Sequence, residues 1–116
     1  MIKTIAVARK KAGMTHEEFS KYWLEQHAPL AARLFPGLRK YVQNHLVIEP
    51  GQKYEADGIV EMWFDDLASM KRAMAFVHTK EGKPIADDGE KFCDLRGGGG
   101  FWVVEEHVIK DELSKK

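Results

Sequence analysis

The chain has 116 residues, and its 18 basic and 18 acidic side chains cancel to a formal net charge of zero. Charges of both signs are interspersed, so we expect neither nucleic acid nor an acidic membrane surface as a partner. The one cysteine excludes an intrachain disulfide framework, and no apolar run approaches the roughly 20 residues that span a bilayer. These features predict one domain over residues 1–110, a short tail at 111–116 and a cytoplasmic location.

The first two predicted elements are a strand and a long helix. Residues 2–8 are rich in β-branched and small side chains, which is typical of a strand. Thr15 and Glu18 have the spacing of a capping box at the start of a helix that covers most of 14–34. Pro29 removes a backbone donor inside that helix and predicts a kink or break just before it.

One titratable side chain shares the apolar face of this helix. His27 falls in the stripe formed by Phe19, Trp23, Leu30 and Leu34. An imidazole at a position that suits leucine either makes a buried hydrogen bond or takes part in chemistry. His27 is therefore the candidate general acid or base.

The rest of the chain predicts three more strands and two more helices. The strands are expected over 39–48, 58–64 and 101–109, with one helix after Asp65 or Asp66 and a short one within 83–92. This order is the split βαβ arrangement, in which two helices cover one face of a four-stranded antiparallel sheet. The predicted fold is therefore α+β and ferredoxin-like.

The other face of the sheet is expected to be too apolar to remain in water. Its candidate side chains include Trp63, Tyr41, Phe101 and Val103, whereas the side of the second strand that carries Val42 suits a helix layer. We expect the uncovered face to pair with a second copy, to close a pocket, or both.

Further candidates for ligand binding lie on the predicted strands. Tyr41 and His45 are four residues apart on one strand and so share a face. Glu61 and Glu105 are predicted to occupy equivalent faces, where they either orient His27 or pair with basic neighbours. The aromatic side chains expected to wall a pocket beside His27 are Phe19, Trp23 and Trp63.

Neither a metal site nor a phosphate loop is predicted. The sequence has no HxxxH, HExxH or CxxC spacing. The four glycines at 97–100 lack the lysine and the strand-to-helix context of a phosphate loop, so they predict a mobile lid or a flexible link.

Several segments resemble the EthD family of dimeric α+β barrels. They are MTHEEF at 14–19, YW at 22–23, HAPL at 27–30, PGLRKY at 36–41, DGIVEMWF at 57–64 and VEEH at 104–107. The resemblance covers nearly the whole chain in order. It implies a homodimer whose two sheets form a barrel, with a pocket between each sheet and its helices and usually without metal or haem.

The family includes an ether-degradation protein, a methylmuconolactone isomerase, and fungal anthrone decarboxylases with related oxygenase-like proteins. The helix histidine of the family matches His27, and an active-site tyrosine of the isomerase branch matches Tyr41. That branch has a cysteine on the third strand where this chain has Met62. The thiol-dependent isomerase reaction is therefore not carried over.

These observations predict a small enzyme without a cofactor that acts on a small aromatic or lactone-like carbonyl compound. His27 would transfer a proton and Tyr41 would bind an oxygen during isomerisation, decarboxylation or cyclisation. One alternative is a non-catalytic carrier that binds a hydrophobic metabolite for an oxidative degradation pathway. Another is an oxygenase, either haem-dependent or free of any cofactor.

Overall fold

Helices cover one face of a four-stranded antiparallel sheet, as the ferredoxin-like prediction requires. The computed structural model describes residues 1–94 and 100–113. Its strands are β1 (Ile2–Ala8), β2 (Lys40–His45), β3 (Gly58–Phe64) and β4 (Phe101–Glu105), in the spatial order β2-β3-β1-β4. Its helices are α1 (His16–Tyr22), α2 (Ala28–Leu34), α3 (Leu67–Phe76) and α4 (Lys83–Gly89), and a π-helical segment, Trp23–His27, joins α1 to α2.

Each of the outer strands, β2 and β4, ends where its neighbour in the sheet has no further residue to pair with. The predictions for β1 and β3 match the observed bounds, but β2 and β4 are shorter than expected. His45 pairs with Gly58, and Glu105 pairs with Ile2, which are the first residues of the partner strands. Beyond these pairs the ladder has no partner residues, so the apolar pattern of the sequence overestimates both strands. Residues 97–99 of the glycine run and 114–116 of the predicted tail lie outside the described residues.

The predicted capping box begins α1. The Thr15 hydroxyl accepts from the Glu18 amide at 3.1 Å, and the Glu18 carboxylate accepts from the Thr15 amide at 2.9 Å. The predicted discontinuity before Pro29 takes the form of a π turn, in which the Ala28 amide donates to the Trp23 carbonyl five residues back. The chain therefore accommodates a proline that has no amide hydrogen without ending the helix.

Two apolar clusters lie between the sheet and the helices. One is formed by Met62 and Phe64 of β3 with Met70 and Ala73 of α3. The second is formed by Phe19, Trp23 and Phe92.

The register reverses part of the predicted assignment of faces. Tyr41 pairs with Met62, whose side chain packs against the helices, and Val42 pairs with Glu61. Since opposite residues in a ladder point to the same face, Tyr41 lies on the helix side and Val42 on the open side. The two-residue period correctly separates the two sets but does not tell which set the helices cover.

Two residues of β4 lie on the helix side, contrary to the prediction, whereas one residue of β3 lies on the open face as predicted. Val103 pairs with Thr4, which in turn pairs with Met62, so Val103 and Phe101 lie on the helix side. They remain 43 and 50 % exposed because β4 is an edge strand. Trp63 does lie on the open face, as predicted.

A histidine near the start of α1 connects three parts of the fold. His16 Nδ1 lies 2.7 Å from Asp57 Oδ1, and His16 Nε2 lies 2.8 Å from the Leu46 carbonyl oxygen. The other oxygen of Asp57 accepts from the Lys10 amide at 2.7 Å. Both ring nitrogens face acceptors, so the imidazolium form suits this site. Burial lowers the pKa of His16, but the hydrogen bonds to Asp57 and Leu46 outweigh it and the net pKa is raised.

The His16 bridge predicts a loss of stability as the pH rises. A pKa raised above the unfolded value means that the contribution is fully present below about pH 6.5 and disappears as the pH passes through the folded-state pKa. Urea unfolding of the wild type and His16→Gln should therefore differ more at about pH 5.5 than at about pH 9. An equal difference at both pH values would show that the bridge does not involve a charged ring.

Gly58, the first residue of β3, lies so close to Trp23 and Asn44 that a larger residue there should destabilise the fold. A Cβ atom at Gly58 would overlap the Trp23 ring and lie 2.8 Å from the Asn44 carbonyl oxygen. Gly58→Ala should lower the free energy of unfolding by about 1–3 kcal/mol, because a packed core resists added volume. Gly89→Ala is the control, since a Cβ there meets nothing within 4 Å, and it should stay within about 0.5 kcal/mol of the wild type.

Candidate functional site

A cavity of about 350 Å³ separates the helix side of the sheet from the helices. Its volume suits a small organic molecule. Most of its walls are apolar, and they come from β1, β2, β3 and the helical segments around them. The lining residues are Val7, Ala8, Arg9, Trp23, His27, Ala31, Phe35, Tyr41, Val60, Met62, Val77, Ile85, Ala86, Gly89, Phe92, Cys93 and Asp94.

The imidazole of His27 lines this cavity and is held by a carboxylate of α4. His27 Nδ1 lies 2.8 Å from Asp88 Oδ2, and the two side chains are 12 and 11 % exposed. The His27 ring also packs against Phe92, with ring centroids 4.9 Å apart. The ring therefore points into the structure rather than into bulk water, beside an apolar wall.

Asp88 is a buried carboxylate with two hydrogen-bond donors. The Tyr22 hydroxyl donates to Asp88 Oδ1 at 2.6 Å, and Lys91 Nζ lies 3.8 Å from the same oxygen. Burial raises the pKa of Asp88, but hydrogen bonds from Tyr22 and His27 outweigh it, and the net pKa is lowered. The hydrogen bond to Asp88 raises the pKa of Tyr22 to about 12, so Tyr22 remains a neutral donor.

An ionised Asp88 determines which nitrogen of His27 is protonated. A carboxylate can only accept, so Nδ1 must donate and the neutral ring must carry its hydrogen there. Nε2 then has an unshared electron pair, and it has no hydrogen-bond partner among the described residues. This is the arrangement by which proteins prepare a histidine to accept a proton.

Tyr41 is another polar group of the cavity wall, which also includes Arg9 and Asp94. Its hydroxyl oxygen accepts from Gln43 Nε2 at 3.0 Å. Burial raises the pKa of Tyr41, and hydrogen-bond donation from Gln43 and Trp23 opposes that effect only in part. The side chain is therefore a neutral phenol at physiological pH.

Cys93 lines the same cavity but does not replace the missing strand cysteine of the isomerase branch. Burial raises the pKa of its thiol to about 12. The reactive species of cysteine is the thiolate, which is essentially absent at neutral pH with such a pKa. Cys93 therefore contributes apolar surface to the wall.

Three of the other predicted site residues lie on the helix side, as does Met62. Trp23 lines the cavity, and the His45 ring packs on it with centroids 4.6 Å apart. Phe19 is completely buried behind Trp23, at a centroid distance of 5.4 Å, and is a core residue rather than a wall. Met62 lines the cavity from β3.

Three predicted binding residues do not line the cavity. Glu61 and Trp63 are on the open face, where Lys3 Nζ lies 2.6 Å from Glu61 and 4.8 Å from the centre of the Trp63 ring. Glu105 pairs in the ladder with Ile2, lies on the helix side and contacts His107 near the surface. The prediction that Glu61 and Glu105 occupy equivalent faces is therefore wrong, because β4 pairs with β1 in a register that separates them.

Asp88, Tyr22 and Gln43 were not predicted from the sequence as residues of the site. A signal for Asp88 is present, because it lies three residues after Ile85 and four before Phe92, in the apolar stripe of the last helical segment. A carboxylate in an apolar stripe is the same kind of anomaly as His27. Gln43 shares the two-residue period with Tyr41 and His45 but has no feature that marks it as special.

Neither a metal-binding group of side chains nor a membrane-spanning helix is found in residues 1–94 and 100–113. This part of the chain contains no group of three or more histidine, cysteine, aspartate or glutamate side chains placed to bind a metal ion. Within the same ranges no helix has the length and apolar character that crossing a bilayer requires.

The fold and the cavity define a ferredoxin-like α+β protein with a histidine site beneath the sheet. The model of the EthD domain matches residues 11–96, which include His27, Tyr41 and Asp88. The chain therefore belongs to the EthD family. No curated protein matches the chain significantly.

Solved structures share this fold over almost the full chain. An ethyl tert-butyl ether degradation (EthD) family protein from Bacillus halodurans is 28% identical, with a TM-score of 0.66 and coverage of 92% of this chain and 99% of its own. A dimeric ferredoxin-like protein of unknown function from Bacteroides fragilis is 14% identical, with a TM-score of 0.61 and coverage of 90 and 95%. SnoaB, a cofactor-independent oxygenase from Streptomyces nogalater, is 13% identical, with a TM-score of 0.60 and coverage of 95 and 97%.

The contact between His27 and Asp88 predicts a defined tautomer. In nitrogen NMR of the ¹⁵N-labelled wild type, the neutral form of the His27 ring should carry its hydrogen on Nδ1, whereas Asp88→Asn should give a mixture, because an amide can either donate or accept. Asp87→Asn is the matched control, since Asp87 binds Lys83 at the surface. A wild-type ring with its hydrogen on Nε2 would contradict the assignment.

Proposed function

We propose that this protein is a cofactor-independent enzyme that moves a proton on a small aromatic or lactone-like carbonyl compound. His27 is the base and then the acid, Asp88 positions it, and Tyr41 binds the carbonyl oxygen. The observation that supports this proposal best is the buried Asp88 on His27 Nδ1 at 2.8 Å, beside a cavity that both His27 and Tyr41 line.

The proposed reaction needs only these groups. Nε2 of His27 takes a proton from the carbon next to the carbonyl group, and the electrons of the broken C–H bond form an enolate. The negative oxygen accepts a hydrogen bond from the Tyr41 hydroxyl, which stabilises it in a cavity of low polarity. In an isomerisation His27 returns this proton to another carbon. In a decarboxylation His27 instead takes the proton of the substrate's carboxylic acid, the C–C bond to the carboxylate breaks as CO₂ leaves, and His27 returns the proton to the carbon of the resulting enolate. In a cyclisation the enolate carbon attacks a second carbonyl of the substrate, and His27 gives the proton to the alkoxide oxygen that forms.

The apolar walls support both the substrate class and a second candidate function. Phe92, Trp23 and Phe35 form aromatic walls, and Val60 and Ile85 are aliphatic. Such walls bind a flat hydrophobic molecule with few polar groups. The same walls would suit a carrier that binds such a molecule without changing it, and this is the second candidate.

We also propose that two copies pair through the open face of the sheet. The indole of Trp102 is 53 % exposed on this face, Trp102 pairs in the ladder with Ile5, and Ile59 pairs with Val7 on the same face. An apolar sheet face of this kind is normally covered. The dimeric Bacteroides fragilis protein, which has the same fold, supports a second copy as the cover.

A proton-exchange assay tests the proposed reaction. The bicyclic ketone 2-tetralone, which has acidic hydrogens at C1, serves as the probe in D₂O, with exchange followed by ¹H NMR. The wild type should accelerate exchange at C1, and His27→Gln should lower the enzyme-dependent rate by roughly 10²–10⁴-fold, the usual contribution of a general base. His78→Gln is the matched control, because His78 is exposed at the end of α3.

Affinity measurements separate the enzyme from the carrier. If His27 is the base, His27→Gln should bind 2-tetralone with an affinity close to that of the wild type while exchange is lost. If the wild type binds the ketone without accelerating exchange, the protein acts as a carrier toward this class of compound and the catalytic proposal is wrong.

The proposed dimer predicts a change of mass in one surface variant. Sedimentation analysis should give a dimer for the wild type and a monomer for Trp102→Glu, because a buried unpaired carboxylate strongly disfavours an interface. Val47→Glu, at a side chain that is 85 % exposed in the loop after β2, should remain dimeric. A wild-type monomer at micromolar concentration would refute the proposed pairing.

A further inference from the structure

A chain of three hydrogen-bonding side chains runs along the helix side of β2 and ends at the Tyr41 hydroxyl. His45 Nε2 lies 2.8 Å from Gln43 Oε1. Gln43 Nε2 lies 3.0 Å from the Tyr41 oxygen and 3.0 Å from the carbonyl oxygen of Trp23. All three residues alternate on one strand, so they follow the same face of the sheet.

The chemistry of the partners determines the direction of each bond. The Trp23 carbonyl can only accept, so the NH₂ group of Gln43 must face it, and the amide oxygen must face His45. That oxygen can only accept, so His45 must donate from Nε2. The two hydrogens of the Gln43 NH₂ group are then used by Trp23 and Tyr41, one each.

The partners of Tyr41 also determine where its hydroxyl hydrogen can donate. Its oxygen already accepts from Gln43, and its own hydrogen finds no acceptor in Gln43, whose only acceptor faces away toward His45. The phenol lines the cavity. Its hydrogen is therefore available to a molecule inside the cavity and to none of the groups that hold it.

We propose that Gln43, held by His45, is a positioning residue that makes Tyr41 a hydrogen-bond donor toward the cavity, so that the site selects ligands with an acceptor oxygen at that point. This inference rests on the proposed function, because the acceptor would be the carbonyl oxygen that becomes an enolate. It also predicts which ligands bind. A carbonyl or phenolate oxygen should bind next to Tyr41, whereas an amine or ammonium donor should not.

The first test measures the pKa of Tyr41 directly and needs no ligand. Gln43→Met keeps the length of the side chain but removes the donor, and Gln43→Glu replaces the donor with an acceptor. In ¹³C NMR of labelled tyrosine, with Tyr41→Phe for assignment, the phenol pKa should rise in Gln43→Met and rise further in Gln43→Glu, where the hydroxyl donates to the new carboxylate. Gln52→Glu, in an exposed loop, is the control and should leave the Tyr41 resonance unchanged.

The second test measures selectivity with two probes that differ only in having a carbonyl group or a CH₂ group at one ring position. The wild type should bind 2-tetralone more tightly than tetralin, the same bicyclic skeleton without a carbonyl group. Gln43→Glu and Tyr41→Phe should each reduce this preference by roughly three- to tenfold, the value of one hydrogen bond, and the double variant should lose no more than either alone. His45→Phe, which keeps the packing on Trp23, should reduce the preference less.

The outcomes distinguish this proposal from the proposed function. An unchanged Tyr41 pKa in Gln43→Met, together with an unchanged preference for the ketone in Gln43→Glu, would overturn the role of Gln43 even if His27 catalyses exchange. A shifted pKa and a lost preference without any exchange by the wild type would support the role of Gln43 and reject catalysis. Failure of both probes to bind, with no shift of the Tyr41 pKa in either Gln43 variant, would overturn both.

Discussion

The structure beneath the sheet depends on a buried carboxylate. A charged group removed from water is tolerated only when its oxygens receive hydrogen bonds, and Asp88 receives one from Tyr22 and one from His27. These bonds connect α4 to the end of α1 and to the π segment, so they also define one wall of the cavity. Because the same carboxylate fixes the hydrogen of His27 on Nδ1, the contact that satisfies the charge also leaves Nε2 with an unshared electron pair, as the proposed proton transfer requires.

The π turn links this pair to the tyrosine on the other side of the cavity. Pro29 cannot donate a backbone hydrogen bond, and the helix passes this point with the Ala28 amide bonded to the Trp23 carbonyl. That carbonyl also accepts from Gln43, which holds the Tyr41 hydroxyl. A backbone irregularity in a helix therefore contributes to the orientation of a side chain on a strand. Single π turns inside helices occur frequently at functional sites.

The two faces of the sheet have different chemistry. On the open face Lys3 lies between Glu61 and Glu106, and its contacts to Glu106 and Glu61 raise its pKa while lowering theirs. Charges that are already paired cost less to cover than isolated ones, so this cluster is compatible with the proposed second copy. The acids expected to assist His27 belong to this network or to the edge of the sheet, and the helix side obtains its carboxylate from α4.

Local patterns in the sequence were sufficient for the elements, the capping box and the anomalous His27, because each depends on residues a few positions apart. The two-residue period also grouped Tyr41 with His45, but it could not tell which face the helices cover, since both faces of β2 have apolar residues. The partner of His27 is 61 residues away. Only the packing of α4 against the π segment and α2 decides that contact, and with it the tautomer of His27. Such long-range proximity leaves no periodic signal in the chain.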